Sequence, residues 1–379
     1  MKYYLIAGEA SGDLHGSNLI RALKEIDAGA EFRCWGGDLM QAAGGTLVKH
    51  YRDLSFMGFW EVFVHLRIII QNLRFCEKDI LRFSPNAVIL IDYPGFNMRM
   101  ARFAARNGYR VFYYISPQLW AWRSSRVRLI RETVSRMFVI LPFEEEFYRK
   151  HGYSVDFVGH PLLDVIPAGQ GQISRKEFLS RNHLSDKPII ALLPGSRKQE
   201  IRMMLRRMIE VIPHFPGFQF VVGAAPAIQP SLYESIIRGS DAKVIYDQTY
   251  PLLAQAEAGL VTSGTATLET ALFGVPEVVC YRGSTLSFWI ARRVVNVKYI
   301  SLVNLIMDRE VVKELIQHLL TRDTLIRELR NILEPFNVRQ MKDQFHRLAG
   351  KLGGAGASAR TARLIVQYLT ESKVNTVKT

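Results

Sequence analysis

Asp92 ends a strand-like run that is otherwise wholly apolar, "AVILID", and Pro94-Gly95 then forces the chain to turn. A carboxylate at such a sheet rim is partly desolvated, and the raised pKa that results suits a general base. The competing reading, an Asp capping the helix that starts around Asn97, is weakened by the intervening Pro94-Gly95. Glu9 and Asp13 lie in a second acidic turn, "GEASGD" at 8–13, directly after the run "KYYLIA". The free N–H groups and positive dipole end of the helix that follows favour an anion, and the glycines let a ligand approach the backbone. Yet no Lys follows and both charges are negative, so this is neither a Walker loop nor a dinucleotide fingerprint. Two carboxylates suit sugar hydroxyls better than a pyrophosphate, with Ser11 and Gly12 beside them. A plain N-cap through Ser11 or Asp13 is the alternative.

Three further loops carry the opposite chemistry. "AGLVTSGTATLETAL" ends a strand in Thr262, Ser263, Gly264 and Thr265, and a helix follows with Glu269 on its second turn. Small hydroxyl residues at a helix N-terminus grip phosphate oxygens through N–H and O–H donors, and the Glu can take two ribose hydroxyls. "LLPGSRKQEI" offers the Gly195 and Ser196 N–H groups and the fixed charge of Arg197, a plausible diphosphate cradle. "YYISPQLWAWRSSR" sets Trp120 and Trp122 beside Arg123 and Arg126, either to floor a sugar or cover an acyl chain, or simply to cover the core. Asn304, inside an apolar run, reads first as a satisfied buried amide.

Such loops need rigid strands behind them. "YYLIAG", "AVILIDY", "RVFYYIS", "MFVILP" and "VDFVG" read as strands in the first part of the chain. "PIIALLPG", "FQFVVGA", "KVIYD", "AGLVTSG" and "EVVCYR" follow later. Runs this apolar suit parallel sheets buried on both faces, with helical crossovers. Pro167, Gly169 and Gly171 break the pattern within 164–178 and mark a linker. The expected fold class is therefore α/β, with two Rossmann-like doubly wound domains, 1–166 and 167–344, facing an interdomain cleft. The stretch 309–333 is expected to be helical.

The chain has 379 residues, too many for one ordinary core, with 48% hydrophobic and 22% charged residues, a globular profile. Lys and Arg number 49 against 35 Asp and Glu, so the net charge of +14 asks for an anionic partner. Nucleic acid would explain the charge but not the acidic turns, and is not expected. Cys34, Cys76 and Cys280 are scattered without a C-x-x-C, which argues against a disulfide framework and a zinc site and suits a reducing compartment. No transmembrane span is expected, because Glu61, His65 and Arg67 interrupt the most apolar stretch.

That stretch, 55–83, reads as a helix of two characters. Phe56, Met57, Phe59, Trp60 and Phe63 make its start greasy, while Arg67, Arg74, Lys78 and Arg82 recur at spacings of 7, 4 and 4 as one basic stripe. A greasy end beside a basic stripe suits lying on an anionic bilayer, with the later part packed inward; a core helix is the competing reading.

Together "AGEASGD", "ILIDYPGFN", "YYISPQLWAWR", "FVGHPLLD", "LLPGSRKQEI", "TSGTATLETAL", "YISLVNLI" and "VVKELIQ" resemble, in order and across nearly the whole chain, the lipid-A-disaccharide synthase family of inverting GT-B glycosyltransferases. "YPGFN" and "GTATLETAL" depart modestly from the pattern. The resemblance implies that UDP-2,3-diacylglucosamine gives its sugar to 2,3-diacylglucosamine 1-phosphate, at the inner face of the Gram-negative cytoplasmic membrane. It implies a peripheral protein, no cofactor and no metal for the chemistry, and leaves a homodimer open. By the same resemblance Asp92 is the first choice of base, with Glu9 and Asp13 orienting hydroxyls or substituting for it. Ser11, Gly12, Trp120, Trp122, Asn304 and Gln317 would contact or position the acceptor. Gly195, Ser196, Arg197, Ser263, Gly264, Thr265 and Glu269, with Tyr281 and Arg282 on the next strand, would hold UDP. A closing helix, about 345–370, would pack back on the first domain. The alternatives are another UDP-sugar enzyme, such as a UDP-N-acetylglucosamine 2-epimerase, which would not need the greasy basic helix, or a non-catalytic protein binding anionic lipid.

Overall fold

The computed structural model describes residues 1–53, 66–122, 126–166, 173–226, 228–283 and 298–376. Two compact units result: Met1–Asp164 with Leu352–Thr379, and Val165–Lys351.

The first unit holds a seven-stranded parallel sheet of β1 (Lys2–Ala7), β2 (Glu31–Gly36), β3 (Thr46–His50), β4 (Ala87–Ile91), β5 (Arg110–Tyr114), β6 (Arg136–Val139) and β7 (Asp156–Phe157), in the order β3-β2-β1-β4-β5-β6-β7. Side chains two apart share a face, so β1 splits between two cores. Tyr4 and Ile6 join one hydrophobic cluster, and Tyr3, Leu5 and Ala7 join the other. Helix α1 (Ala10–Ile26) covers the second face through Leu19, Ile20 and Leu23, and the short α2 (Asp38–Ala42) adds Met40. On the opposite face lie α3 (Leu66–Phe83), with Cys76 and Ile80 buried, and α4 (Pro94–Arg106), with Phe96, Met100, Ala101 and Ala104. Helix α5 (Glu144–Lys150) follows β6.

The second unit repeats the plan with β8 (Ile189–Leu193), β9 (Gln219–Ala224), β10 (Lys243–Tyr246), β11 (Ala256–Thr262), β12 (Glu277–Tyr281) and β13 (Lys313–Ile316), ordered β10-β9-β8-β11-β12-β13. Its helices include α6 (Lys198–Ile209), α7 (Thr265–Leu272), α8 (Leu302–Met307), α9 (Arg322–Leu333) and α10 (Pro335–Lys351). The last helix, α11 (Ala357–Thr376), belongs to the first unit, where Ala362, Ile365 and Leu369 join the core of β1 and α1. Asp164 accepts the Ala357 and Ser358 N–H groups at 3.1 and 3.0 Å and so caps this returning helix. The return starts at Leu352, because α10, which spans 335–351, stays with the second unit.

Three elements differ from the sequence pattern. β2 and β3 are strands without an unbroken apolar run. Arg33 interrupts β2 and is tolerated because its guanidinium meets Asp79 of α3 at 2.7 Å. The helix expected from 309 is instead β13 followed by α9: Val312 and Leu315 are buried at the three-residue spacing of a helix, yet pairing of Leu315 with Cys280 of β12 decides for a strand. Of the expected helix over 55–83, the described part is Leu66–Phe83, so Phe56, Met57, Phe59, Trp60 and Phe63 lie outside the described residues. Among the described residues no helix is long and apolar enough to cross a membrane.

Candidate functional site

In each sheet the strand order reverses once, between β1 and β4 and between β8 and β11. In open α/β sheets the loops leaving the carboxyl ends of the strands diverge at such a reversal, which is the usual ligand position.

At the first switch point Asp92 and Tyr93 both adopt left-handed backbone, with φ of 46° and 48°. Two consecutive non-glycine residues there cost about 1–3 kcal/mol each, a strain that persists only when neighbours enforce it. The Asp92 N–H donates to the Tyr114 carbonyl at 3.1 Å, and the Asp92 carbonyl accepts from Tyr113 Oη at 2.6 Å and Asn97 Nδ2 at 2.8 Å. The Tyr93 ring lies against Gly8, where a Cβ would sit 2.3 Å from it; only glycine fits. Burial raises the Asp92 carboxyl to about 6, the nearby Glu9 charge adds to this, and the Tyr93 N–H opposes it. Glu9 is exposed at the N-cap of α1 and makes no capping bond with its side chain; Ser11 is exposed and Gly12 buried against Ala7.

Asp13 does not belong with them. Its carboxylate is buried and accepts from the N–H groups of Gly37, Leu39 and Met40 at 2.7, 3.1 and 3.0 Å. It caps α2, and both oxygens are committed to that task.

The loop after β5 is fixed by a residue that the sequence pattern hid. Glu144, in the acidic run "FEEEF" at the start of α5, is fully buried; it accepts from Ser116 Oγ and from the N–H groups of Ile140 and Leu141 at 3.2 and 2.9 Å. Burial pushes its carboxyl up to about 7, against the pull of those bonds. Trp120 packs edge-on against Phe143, ring centroids 5.0 Å apart; the Trp122 side chain lies outside the described residues.

The second switch point has another character. Gly195 takes φ of 104°, and a Cβ there would approach Glu200 at 2.9 Å and Thr262 at 3.5 Å, so the loops after β8 and β11 are neighbours. Ser196 and Arg197 are exposed, with Arg197 reaching Glu200 at 3.4 Å. Gly264 is the N-cap of α7 and has no side chain to occupy the first-turn N–H groups; it and Thr265 are exposed. Ser263 Oγ donates to the Ile300 carbonyl at 2.9 Å, which leaves its lone pairs available. Glu269 is half-buried and accepts from Tyr250 Oη at 2.9 Å; burial raises its pKa. At the end of β12 Arg282 is exposed, and Tyr281 Oη and Gln317 Nε2 converge on Gly283, where a Cβ would lie 3.3 and 3.7 Å from them. Gln317 Nε2 is buried without a partner among the described residues.

Asn304 is a core residue instead of a ligand contact. It is fully buried, its Oδ1 accepts from the Val311 and Val312 N–H groups at 2.7 and 3.0 Å, and its Nδ2 donates to Val312 and Glu314 at 2.8 and 2.9 Å. Every hydrogen-bonding position of the amide is used by the fold.

On α3, Arg67, Arg74, Lys78 and Arg82 are all exposed, and Ile68, Ile70, Phe75 and Leu81 are exposed with them. Among the described residues no group of three or more His, Cys, Asp or Glu side chains is placed to hold a metal ion.

The fold recurs in solved structures at low identity. The S. aureus MnaA–UDP structure has a TM-score of 0.70 at 14% identity, covering 97% of each chain. A putative UDP-N-acetylglucosamine 2-epimerase from Listeria monocytogenes gives 0.67 at 13%, over 98% of this chain and 97% of that one. The glycosyltransferase of kitacinnamycin gives 0.66 at 14%, over 97% and 99%. These likenesses define the class, a GT-B type pair of α/β domains. The particular family follows from sequence: the lipid-A-disaccharide synthetase family model matches residues 3–361. The lipid-A-disaccharide synthase of Syntrophus aciditrophicus is 40% identical over 97% of this chain and 98% of its own. That of Geobacter metallireducens is 37% identical over 97% of each. The chain belongs to the lipid-A-disaccharide synthase family of glycosyltransferases.

Proposed function

We propose that this chain transfers 2,3-diacylglucosamine from its UDP derivative to 2,3-diacylglucosamine 1-phosphate, giving a β(1→6) disaccharide 1-phosphate and UDP. The observation that carries the reading to particular residues is the opposite chemistry of the two switch points, a strained carboxylate at one and open N–H and hydroxyl donors at the other.

Asp92 is the general base. Its carboxylate takes the proton of the acceptor hydroxyl as that oxygen attacks the anomeric carbon from the face opposite UDP. The bond from that carbon to the diphosphate breaks, and UDP departs with the electron pair. Glu9 orients sugar hydroxyls, helped by Ser11, Gly12 and the Trp120 loop. Gly195, Ser196, Arg197, Ser263, Gly264 and Thr265 receive the diphosphate, while Glu269 takes the ribose, Tyr281 and Arg282 complete the nucleotide's surroundings, and Gln317 positions the acceptor. The fold's likeness to a structure holding UDP supports this assignment. Helix-terminal N–H groups and a guanidinium can stabilise a leaving diphosphate, so the transfer is assigned no metal.

The substrates carry acyl chains, and the exposed basic and apolar residues of α3 suit a peripheral stay on an anionic bilayer, at the inner face of the cytoplasmic membrane. Replacing Arg67, Arg74 and Lys78 together by Glu should abolish co-sedimentation with phosphatidylglycerol vesicles; unchanged co-sedimentation refutes the docking face.

The decisive measurement is UDP release with each lipid alone and with both. Release that requires both supports the transfer. No release with both lipids rejects it, and a C2-epimerised UDP-sugar without acceptor would establish the epimerase alternative.

A further inference from the structure

Asn97 lies in the first turn of α4 and is fully buried, an unusual place for an amide that solvent would satisfy. Its Nδ2 faces the carboxyl ends of β1 and β4, donating to the carbonyls of Ile6 at 3.3 Å, Ile91 at 3.2 Å and Asp92 at 2.8 Å. Ile6 and Ile91 belong to the last paired stretch of the two strands before they part. The two N–H hydrogens of one amide are therefore shared among three carbonyls where the sheet opens, with the Asp92 carbonyl the nearest at 2.8 Å. The Asp92 carbonyl receives a second donor, Tyr113 Oη from β5 at 2.6 Å. Both bonds fall on the residue whose left-handed backbone aims the carboxylate.

We infer that Asn97, seconded by Tyr113, is a positioning residue of the transfer step, acting through the Asp92 carbonyl to hold the base's carboxylate in its half-buried orientation. The inference rests on Asp92 being the base. The groups that face Asp92 are Glu9 from the turn after β1, Tyr93 beside it, and Tyr113; Arg99 of α4 is turned to the Gly95 carbonyl. Burial is the larger cause of the raised Asp92 carboxyl and Glu9 the second, so the carboxylate's titration reports chiefly on how deeply it is held.

The test uses the full chain with both lipid substrates and compares Asn97→Ala, Tyr113→Phe and Asp92→Asn. A carboxylate released from its clamp is misplaced by a fraction of an ångström or more, which costs up to about a hundredfold in rate. Asn97→Ala should lower kcat about 10–100-fold, and Tyr113→Phe, which removes only a hydroxyl, by about 3–10-fold, with KM for both lipids nearly unchanged. The acid limb of kcat/KM should move from near pH 6 toward the ordinary carboxylate range, since the freed group reaches water. A lower activity that tracks the folded fraction in melting curves, with the limb unmoved, reduces Asn97 to a stabilising residue and overturns the inference. So do wild-type kcat and limb in Asn97→Ala and Tyr113→Phe while Asp92→Asn is inactive. An active Asp92→Asn instead overturns the base assignment on which the inference rests, and is told apart by that variant alone.

Discussion

The two switch points are made from the same strand order and solve opposite problems. At β8–β11 the positive-φ turns fall on Gly195 and Gly264, at 104° and 153°, where they carry little steric cost and leave backbone N–H groups open. At β1–β4 the left-handed turn falls on Asp92 and Tyr93, where it is strained and must be held by Asn97, Tyr113 and Tyr114. An anion cradle works by being open and rich in donors. A general base works by being aimed. The difference shows why strain is concentrated at one switch point and avoided at the other.

The comparison breaks most visibly at Asp92. Asp92→Asn should lower turnover about a thousandfold with melting behaviour intact. The base acts when deprotonated, so wild-type kcat/KM should rise with pH through about 6 and then level. Arg197→Ala comes next, with a loss of about a hundredfold and weakened competitive inhibition by UDP; unchanged UDP inhibition would remove the second site from the nucleotide. Glu9→Gln should cost about tenfold and shift the acid limb downward, because Glu9's charge is the second cause of the raised Asp92 pKa. An unmoved limb would separate the two acids.

Asp13→Ala sharpens the same comparison by what it spares. Losing an acceptor shared by three N–H groups should cost about 1–3 kcal/mol in denaturant melts, with kcat per folded molecule unchanged. A kcat reduced with the fold intact would return Asp13 to the chemistry.

Two buried acids contrast in the same way. Asp79 in the first unit meets Arg33 and Tyr4, whereas Glu277 in the second is fully buried with neither oxygen bonded among the described residues. Burial raises the Glu277 pKa well above its ordinary value, so the folded chain keeps a proton that the unfolded chain sheds as pH rises above about 4.5. Stability conferred at low pH is thus lost with rising pH. Glu277→Met should stabilise by about 1–3 kcal/mol at neutral pH, and the gain should shrink in acid. A gain independent of pH would show that the side chain is not held neutral.

Much of this was legible in residues that advertise a local need. The apolar runs of β1 and β4 can only be strands buried on two faces, and Asp92 at the end of such a run announces an acid at a rim. Pro94-Gly95 marks the turn but not its left-handed backbone, which is imposed by bonds from Asn97 and from β5. Glu144 is invisible among three consecutive acids, since only packing decides which of them is buried. β13 was lost to helical spacing because Val312 and Leu315, three residues apart, read as helix until a partner strand is known.

Asp13 and Asn304 mark the boundary. Their types and positions beside glycines and apolar runs are compatible equally with ligand contact and with holding backbone. The choice depends on partners 24–27 residues away for Asp13 and 7–10 for Asn304. The sequence by itself determined the α/β plan, the acidic turns, the glycine- and hydroxyl-rich turns and the family, because these depend on residue type, order and short-range spacing. Only the tertiary structure decided which polar groups were already spent on the fold and which were left open, because a hydrogen bond is settled by what lies within about 3 Å in space, whatever the separation along the chain.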